Sequence, residues 1–203
     1  MRRRKGRPTD LAEGEMKKRI VEAAADEFAR VGYDGARIER IAEAAGCNRS
    51  LVYHYFAGKP ALFEAALDEA AEHREQQMAA QPATLAEGLV YWFRRNWAEP
   101  RRIRLVMQEA LAPPGAAREP GRRRDYLARQ RAVVAAFQKA GLLRSDIAPE
   151  RLLTLFLAVT SFPACFPAVT SAALDAPDEQ ALVDAWSAAL GELATLLQPP
   201  DAA

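Results

Sequence analysis

Apolar residues recur along this chain every three or four positions, the spacing of one helix face, while the strict alternation of a half-buried strand is nearly absent. Val21, Ala24, Ala25 and Phe28 form one such stripe and predict a first helix ending at Gly32. Ile38, Ile41, Ala42 and Ala45 repeat the pattern in a short second helix stopped by Gly46. Asn48 is a good N-cap for a third short helix that turns Val52, Tyr55 and Phe56 inward. Gly58, Lys59 and Pro60 break and restart the chain, since proline suits a first helical turn, and Phe63, Ala66, Leu67 and Ala70 stripe a fourth helix running to about residue 80.

Pro82 opens a second set of helices. Thr84 and Glu87 form a T-x-x-E capping box ahead of Leu85, Leu89, Trp92 and Phe93. A helix restarting at Pro100 carries Ile103, Val106, Met107 and Ala110, residues 113–121 read as a loop, and a long helix over about 122–140 is stopped by Gly141. Pro149 and Glu150 begin an uncharged helix, and Asp178 precedes a last one with Trp186, Ala189, Leu190, Leu193 and Leu197 on one side. The expectation is an all-α fold of about nine helices with no strand.

Charge is uneven although the whole chain is nearly neutral at +1: residues 1–59 hold 13 Lys and Arg against 9 Asp and Glu, and residues 60–203 hold 15 against 18. Arg2, Arg3, Arg4, Lys5 and Arg7 make residues 1–14 a basic flexible arm. The two cysteines, Cys47 and Cys165, have neither CxxC nor histidine partners at metal spacing, so no disulfide framework, zinc site or cofactor is implied and a cytoplasmic setting fits. Residues 152–174 carry no charge and are long enough to span a bilayer. Pro163, Pro167 and five Ser/Thr argue against a span and for a buried helix ending near the prolines.

Residues 37–45 and 48–55 have the proportions of a DNA-binding helix-turn-helix, with Gly46 permitting the tight turn. The outer side of the second of these helices holds Arg49, Ser50, Tyr53 and His54; arginine pairs with guanine, serine donates or accepts, and Leu51 suits a thymine methyl. Lys59 begins the next helix, where its ammonium and the free N–H groups together favour a phosphate.

These residues carry a resemblance. Ala23, Ala24, Phe28, Gly32, Tyr33, Ile41, Ala42, Ala45, Gly46, Tyr53, Tyr55, Phe56, Lys59 and Leu62, and above all the run LVYHYFAGKPAL, resemble the DNA-binding domain of tetracycline-repressor (TetR) regulators over about a quarter of the chain. The resemblance implies that Arg49, Ser50, Leu51, Tyr53 and His54 face bases or groove and that Tyr55 and Lys59 hold phosphates. Where the family commonly opens its second helix with Thr or Ser, this chain has Ala36 and Arg37, so Arg37 is expected to replace the lost phosphate contact. Gly58 stands where Ser or Asn is often seen. The arm either enters the adjacent minor groove, as in homeodomains, or is a solvated tail.

The resemblance further implies a helix-turn-helix domain at residues 15–62 and a ligand-binding and dimerisation domain at 63–203, the latter enclosing an effector pocket and pairing its last helices in a homodimer. The uncharged residues 152–163 and the stripe from Trp186 to Leu197 are the dimer candidates; a two-fold pair of half-sites also lengthens the short sequence one recognition helix reads. Trp92, Phe93, Met107, Tyr126, Phe162 and Cys165 offer aromatic and sulfur surface for a small-molecule effector, with Asn96 and Gln108 to orient it, or else they are plain core. The expected function is a repressor released from a palindromic double-stranded operator by that effector, with no membrane partner. The alternative is a helical small-molecule-binding protein or enzyme without DNA binding. Against enzymes, the chain has no Gly-rich phosphate loop, HExxH or GxSxG, and His54 and His73 are its two histidines.

Overall fold

The computed structural model describes residues 10–77, 82–114 and 121–199, so the five cations of the arm lie outside the described residues. Among those residues there are ten helices and no strand: α1 (Asp10–Gly35), α2 (Ile38–Ala45), α3 (Arg49–Tyr55), α4 (Lys59–Gln77), α5 (Leu85–Ala98), α6 (Pro100–Leu111), α7 (Gly121–Lys139), α8 (Pro149–Cys165), α9 (Pro167–Ala173) and α10 (Glu179–Leu196). The extra helix arises from Pro167. It starts a new helix after Phe166, whose non-helical φ/ψ of −131°/61° ends α8, and the two axes meet at 98°. No single helix is long and apolar enough to cross a membrane, although α8 and α9 together have the length and composition of a broken span. The helix at Asp10 also begins inside the stretch expected to be an arm.

Two compact units are formed, and the chain passes between them within α4 and again within α6. In the first unit the anticipated stripes converge: Ile20, Ala24, Phe28, Ile41, Leu62, Phe63 and Ala66 are completely buried, with Val52 and Leu67 nearly so. Phe63 lies 4.7 Å from Phe28 and 5.2 Å from Tyr33, ring centre to ring centre, in tilted pairs of the kind that add to plain burial. Gly32 leaves helical geometry at φ 77°, which confirms the stop in α1, and its bare Cα is covered by the Gln108 amide; a Cβ there would meet Oε1 at 2.7 Å.

The second unit packs α5 against α8 and α10, and α7 against α8. Leu89, Phe93, Leu182, Leu190 and Ala194 form one apolar cluster, and Val134, Leu143, Leu152 and Leu197 another. Two stripes need correction. On α6 the buried residues are Ile103 and Leu105, while Val106 and Ala110 face solvent; on α10 Leu182 and Ala194 join Leu190 and Leu197, leaving Trp186, Ala189 and Leu193 half-buried. On α10, packing against both α5 and α9 widens the apolar face beyond a single row.

The α3 helix is too short to hold itself together, and its N-cap matters accordingly. Asn48 Oδ1 accepts the Leu51 N–H at 2.9 Å. Asn48→Ala is expected to cost about 1 kcal/mol of unfolding free energy, read by urea denaturation, while Asn48→Asp should leave stability nearly unchanged.

Candidate nucleic-acid interface and interior cavity

The turn between α2 and α3 is built from backbone groups. Gly46 sits in the left-handed region at φ 70°, its N–H donates to Glu43 O at 3.0 Å, and the Cys47 N–H donates to Ala42 O at 2.9 Å. This pair of bonds satisfies the last carbonyls of α2 and requires a residue that tolerates positive φ. The Arg19 guanidinium closes over the bare glycine, where a Cβ would lie 2.7 Å from Nη2. At the start of α2, Arg37 is extended, at φ −126° and ψ 131°, and makes no side-chain cap, so its exposed guanidinium projects from the helix entrance.

From that turn α3 emerges with Val52 buried and Arg49, Ser50, Tyr53 and His54 exposed on the other side. Leu51 and Tyr55 are half-buried, and His54 and Tyr55 meet edge to face at 5.2 Å. Arg49 pairs with Glu39 at 2.7 Å and donates to the Tyr53 hydroxyl at 3.3 Å, two contacts that strengthen its hold on its proton. Lys59 reaches back to Asp34 O at 3.2 Å and lies 4.9 Å from the centre of the Tyr33 ring. Its ammonium is thereby held where α4 begins, with donors left over for an anion.

The second unit holds a cavity of about 70 Å³ between α4, α5, α7 and α8. Leu85, Leu89, Val134, Phe137, Leu153 and Phe156 supply apolar walls, and Arg74, Gln130 and Thr160 are among the polar ones. Of the residues nominated from sequence, Trp92 and Tyr126 line it. Asn96 is buried beside it, tied by its amide nitrogen to Thr160 O at 2.8 Å and accepting from Arg74 at 3.1 Å.

The other nominations fall elsewhere. Phe93 is completely buried in the apolar cluster, because its position on α5 faces α10. Phe162 is exposed, meeting Phe166 in a tilted pair and stacking on Trp186. Cys165 is half-buried, its thiol pushed up by burial against the opposing pull of Arg102. Met107 and Gln108 belong to the first unit, where Gln108 covers Gly32.

Sequence reasoning missed Arg74, although a signal for it exists: it continues the row of Phe63, Leu67 and Ala70 by one helical turn and therefore points where they point. The residue is 6 % exposed, and its guanidinium lies 4.1 Å from the centre of the Trp92 ring and donates through Nε to the Tyr126 hydroxyl at 2.9 Å.

The comparisons with known proteins agree with this arrangement. The family described as "Bacterial regulatory proteins, tetR family" matches residues 20–66, and "Tetracyclin repressor-like, C-terminal domain" matches residues 85–191. Among curated relatives, the HTH-type transcriptional repressor SCO4008 of Streptomyces coelicolor is 33% identical over 157 residues, covering 74% of this chain and 79% of that one. The HTH-type transcriptional regulator RutR of Escherichia coli K12 is 29% identical over 170 residues, covering 78% and 80%. The crystal structure of the transcriptional regulator SCO4942 from S. coelicolor superposes with a TM-score of 0.72 at 28% identity, over 88% of this chain and 97% of that one.

An all-helical chain with a helix-turn-helix head and a helical body belongs to the class of DNA-binding transcriptional regulators. The chain belongs to the TetR family of bacterial transcriptional regulators.

At this candidate surface the Glu39 carboxylate occupies Arg49 and adds negative charge beside α3. Glu39→Gln is expected to tighten duplex binding up to about fivefold at low salt, the range set by an exposed ion pair. Fluorescence anisotropy with a labelled duplex reads the change, and unaltered affinity would mean that Arg49 is free of Glu39 in the complex.

Proposed function

We propose that this protein is a repressor that occupies a palindromic operator as a homodimer and leaves it when a small-molecule effector fills the cavity of the second unit. The observation that carries the reading is α3: a capped helix fixed by Val52, with Arg49, Ser50, Tyr53 and His54 on its free side. Arg49 and Ser50 read base edges, Leu51 meets a thymine methyl, and Arg37, Tyr55 and Lys59 hold phosphates. The names of the S. coelicolor and E. coli relatives, both helix-turn-helix transcription factors, support the same role.

Dimerisation is supported by an exposed apolar row on α8, Leu155, Ala158 and Phe162, continued by Phe166 and Val169 around the bend. An apolar surface of this kind marks an interaction site. In the dimer two recognition helices stand roughly 34–36 Å apart, one DNA turn. Effector binding favours a state with a different separation, by no more than the ligand's preference for that state. The helix α4 carries both Lys59 and the cavity residue Arg74, which suits it to transmit the change.

Selection of bound fragments from random DNA is expected to yield an inverted repeat, and Arg49→Ala and Tyr53→Ala should each weaken its binding; scrambled duplex bound as tightly as the repeat would overturn the operator reading. Affinity should fall steeply with salt, as released counterions require. Phe162→Glu is expected to convert the dimer to monomer in sedimentation equilibrium and to abolish binding to the full repeat.

A further inference from the structure

The polar end of the cavity is unusual in its charge. Arg74, almost entirely buried, gives its hydrogen bonds to neutral oxygens, those of the Tyr126 hydroxyl and the Asn96 amide, and rests on the face of Trp92. A second guanidinium, Arg102, donates to the same Asn96 oxygen. Burial and the neighbouring Arg74 charge push Arg102 down to about 9, still above neutral pH, so two positive charges converge on one uncharged acceptor. Glu99, which lies close enough to favour the charge on Arg102, is already engaged by Arg95 at 3.3 Å and His73 at 3.6 Å.

Burying like charges side by side is costly unless an opposite charge joins them. The place such a charge can come from is the cavity, because Arg74 forms part of its wall and Thr160 and Gln130 add polar groups beside it. Most of the remaining wall is hydrocarbon, including Leu85, Leu89, Val134, Phe137 and Leu153. One charged end and one apolar end, in a space of about 70 Å³, define a small amphipathic occupant. For comparison, a cavity of about 150 Å³ takes up a benzene ring.

Building on the effector reading above, we infer that the ligand class of this cavity is a small organic carboxylate, its carboxylate seated on Arg74 beside Tyr126 and its short hydrocarbon body against the α5, α7 and α8 side chains. The anion supplies the charge that Asn96 cannot, and it does so where α4 carries Arg74, so that occupancy acts directly on the helix that begins at Lys59. A cation of the same shape is excluded by the two guanidiniums. An alcohol of the same shape gains the apolar contacts alone.

The test is calorimetric titration of the intact protein with propanoate, propylamine, propanol and inorganic sulfate at constant ionic strength. Propanoate is expected to bind more tightly than propanol, with propylamine and sulfate weaker than either. Arg74→Met should reduce propanoate affinity by roughly tenfold to a hundredfold, the range of a charge-assisted hydrogen bond, and Arg74→Lys should recover part of it. Propanol binding by Arg74→Met, at least equal to that of the unaltered protein, certifies that the variant has kept its cavity.

If propanol or propylamine binds as well as propanoate and Leu153→Trp blocks that binding, the carboxylate inference fails while the effector cavity stands. Sulfate binding as strongly as propanoate overturns the need for a hydrocarbon body. Should none of the four bind, the carboxylate inference falls; should Leu153→Trp, which fills the cavity, also leave operator binding unaltered, the effector reading falls with it.

Discussion

A helix of seven residues has no business being stable alone: nucleation costs more than so few hydrogen bonds return. The groove reading proposed above depends on making such a helix rigid. Three local devices do this, namely the left-handed glycine turn at Gly46, the Asn48 cap and the seating of Val52 in the Phe28–Phe63 core. With these in place the outward side chains of α3 need contribute nothing to folding. They are free to be polar, and Arg49, Ser50, Tyr53 and His54 are. The proposed recognition of a groove draws on stability supplied by the other side of the helix.

The second unit solves a different problem. Its walls are built of leucine, valine and phenylalanine, which pack without demanding a unique partner, and its individuality comes from a few buried polar groups. Asn96 joins Arg74, Arg102 and the Thr160 carbonyl in one hydrogen-bonded set. Such a set fixes the geometry of the cavity floor more sharply than apolar contacts can, because each member has a direction as well as a distance. The Tyr126 hydroxyl performs the same service from α7.

The first unit was largely legible from its residues. Helical spacing at Val21, Ala24 and Phe28, the glycines at 32 and 46 and the Asn48 cap are local signals, and local signals survive in a sequence. The body was legible in its caps and in all its helices but α9, and not in its cavity. Aromatic content nominated Trp92 and Tyr126 and, with equal force, Phe93, which is core, and Phe162, which is surface. What separates these four is which helix stands opposite each, a tertiary fact with no counterpart in periodicity. Arg74 escaped notice because a cation is read as solvent-facing by default, though its place in the Phe63–Leu67–Ala70 row argued otherwise. The uncharged run ahead of Leu174 suggested a single buried helix, and Pro167 made it two.

The continuity of α4 has a consequence for how proteins of this design can change. Leu67 sits in the core of one unit and Arg74 in the cavity wall of the other, about two turns apart on one helix. Inserting or deleting one residue between them turns the downstream part of the helix by about 100° around the axis relative to the upstream part, so Leu67 and Arg74 could no longer both keep their seats even though neither had been replaced. Grafting a new head onto this body therefore calls for a junction that conserves helical phase.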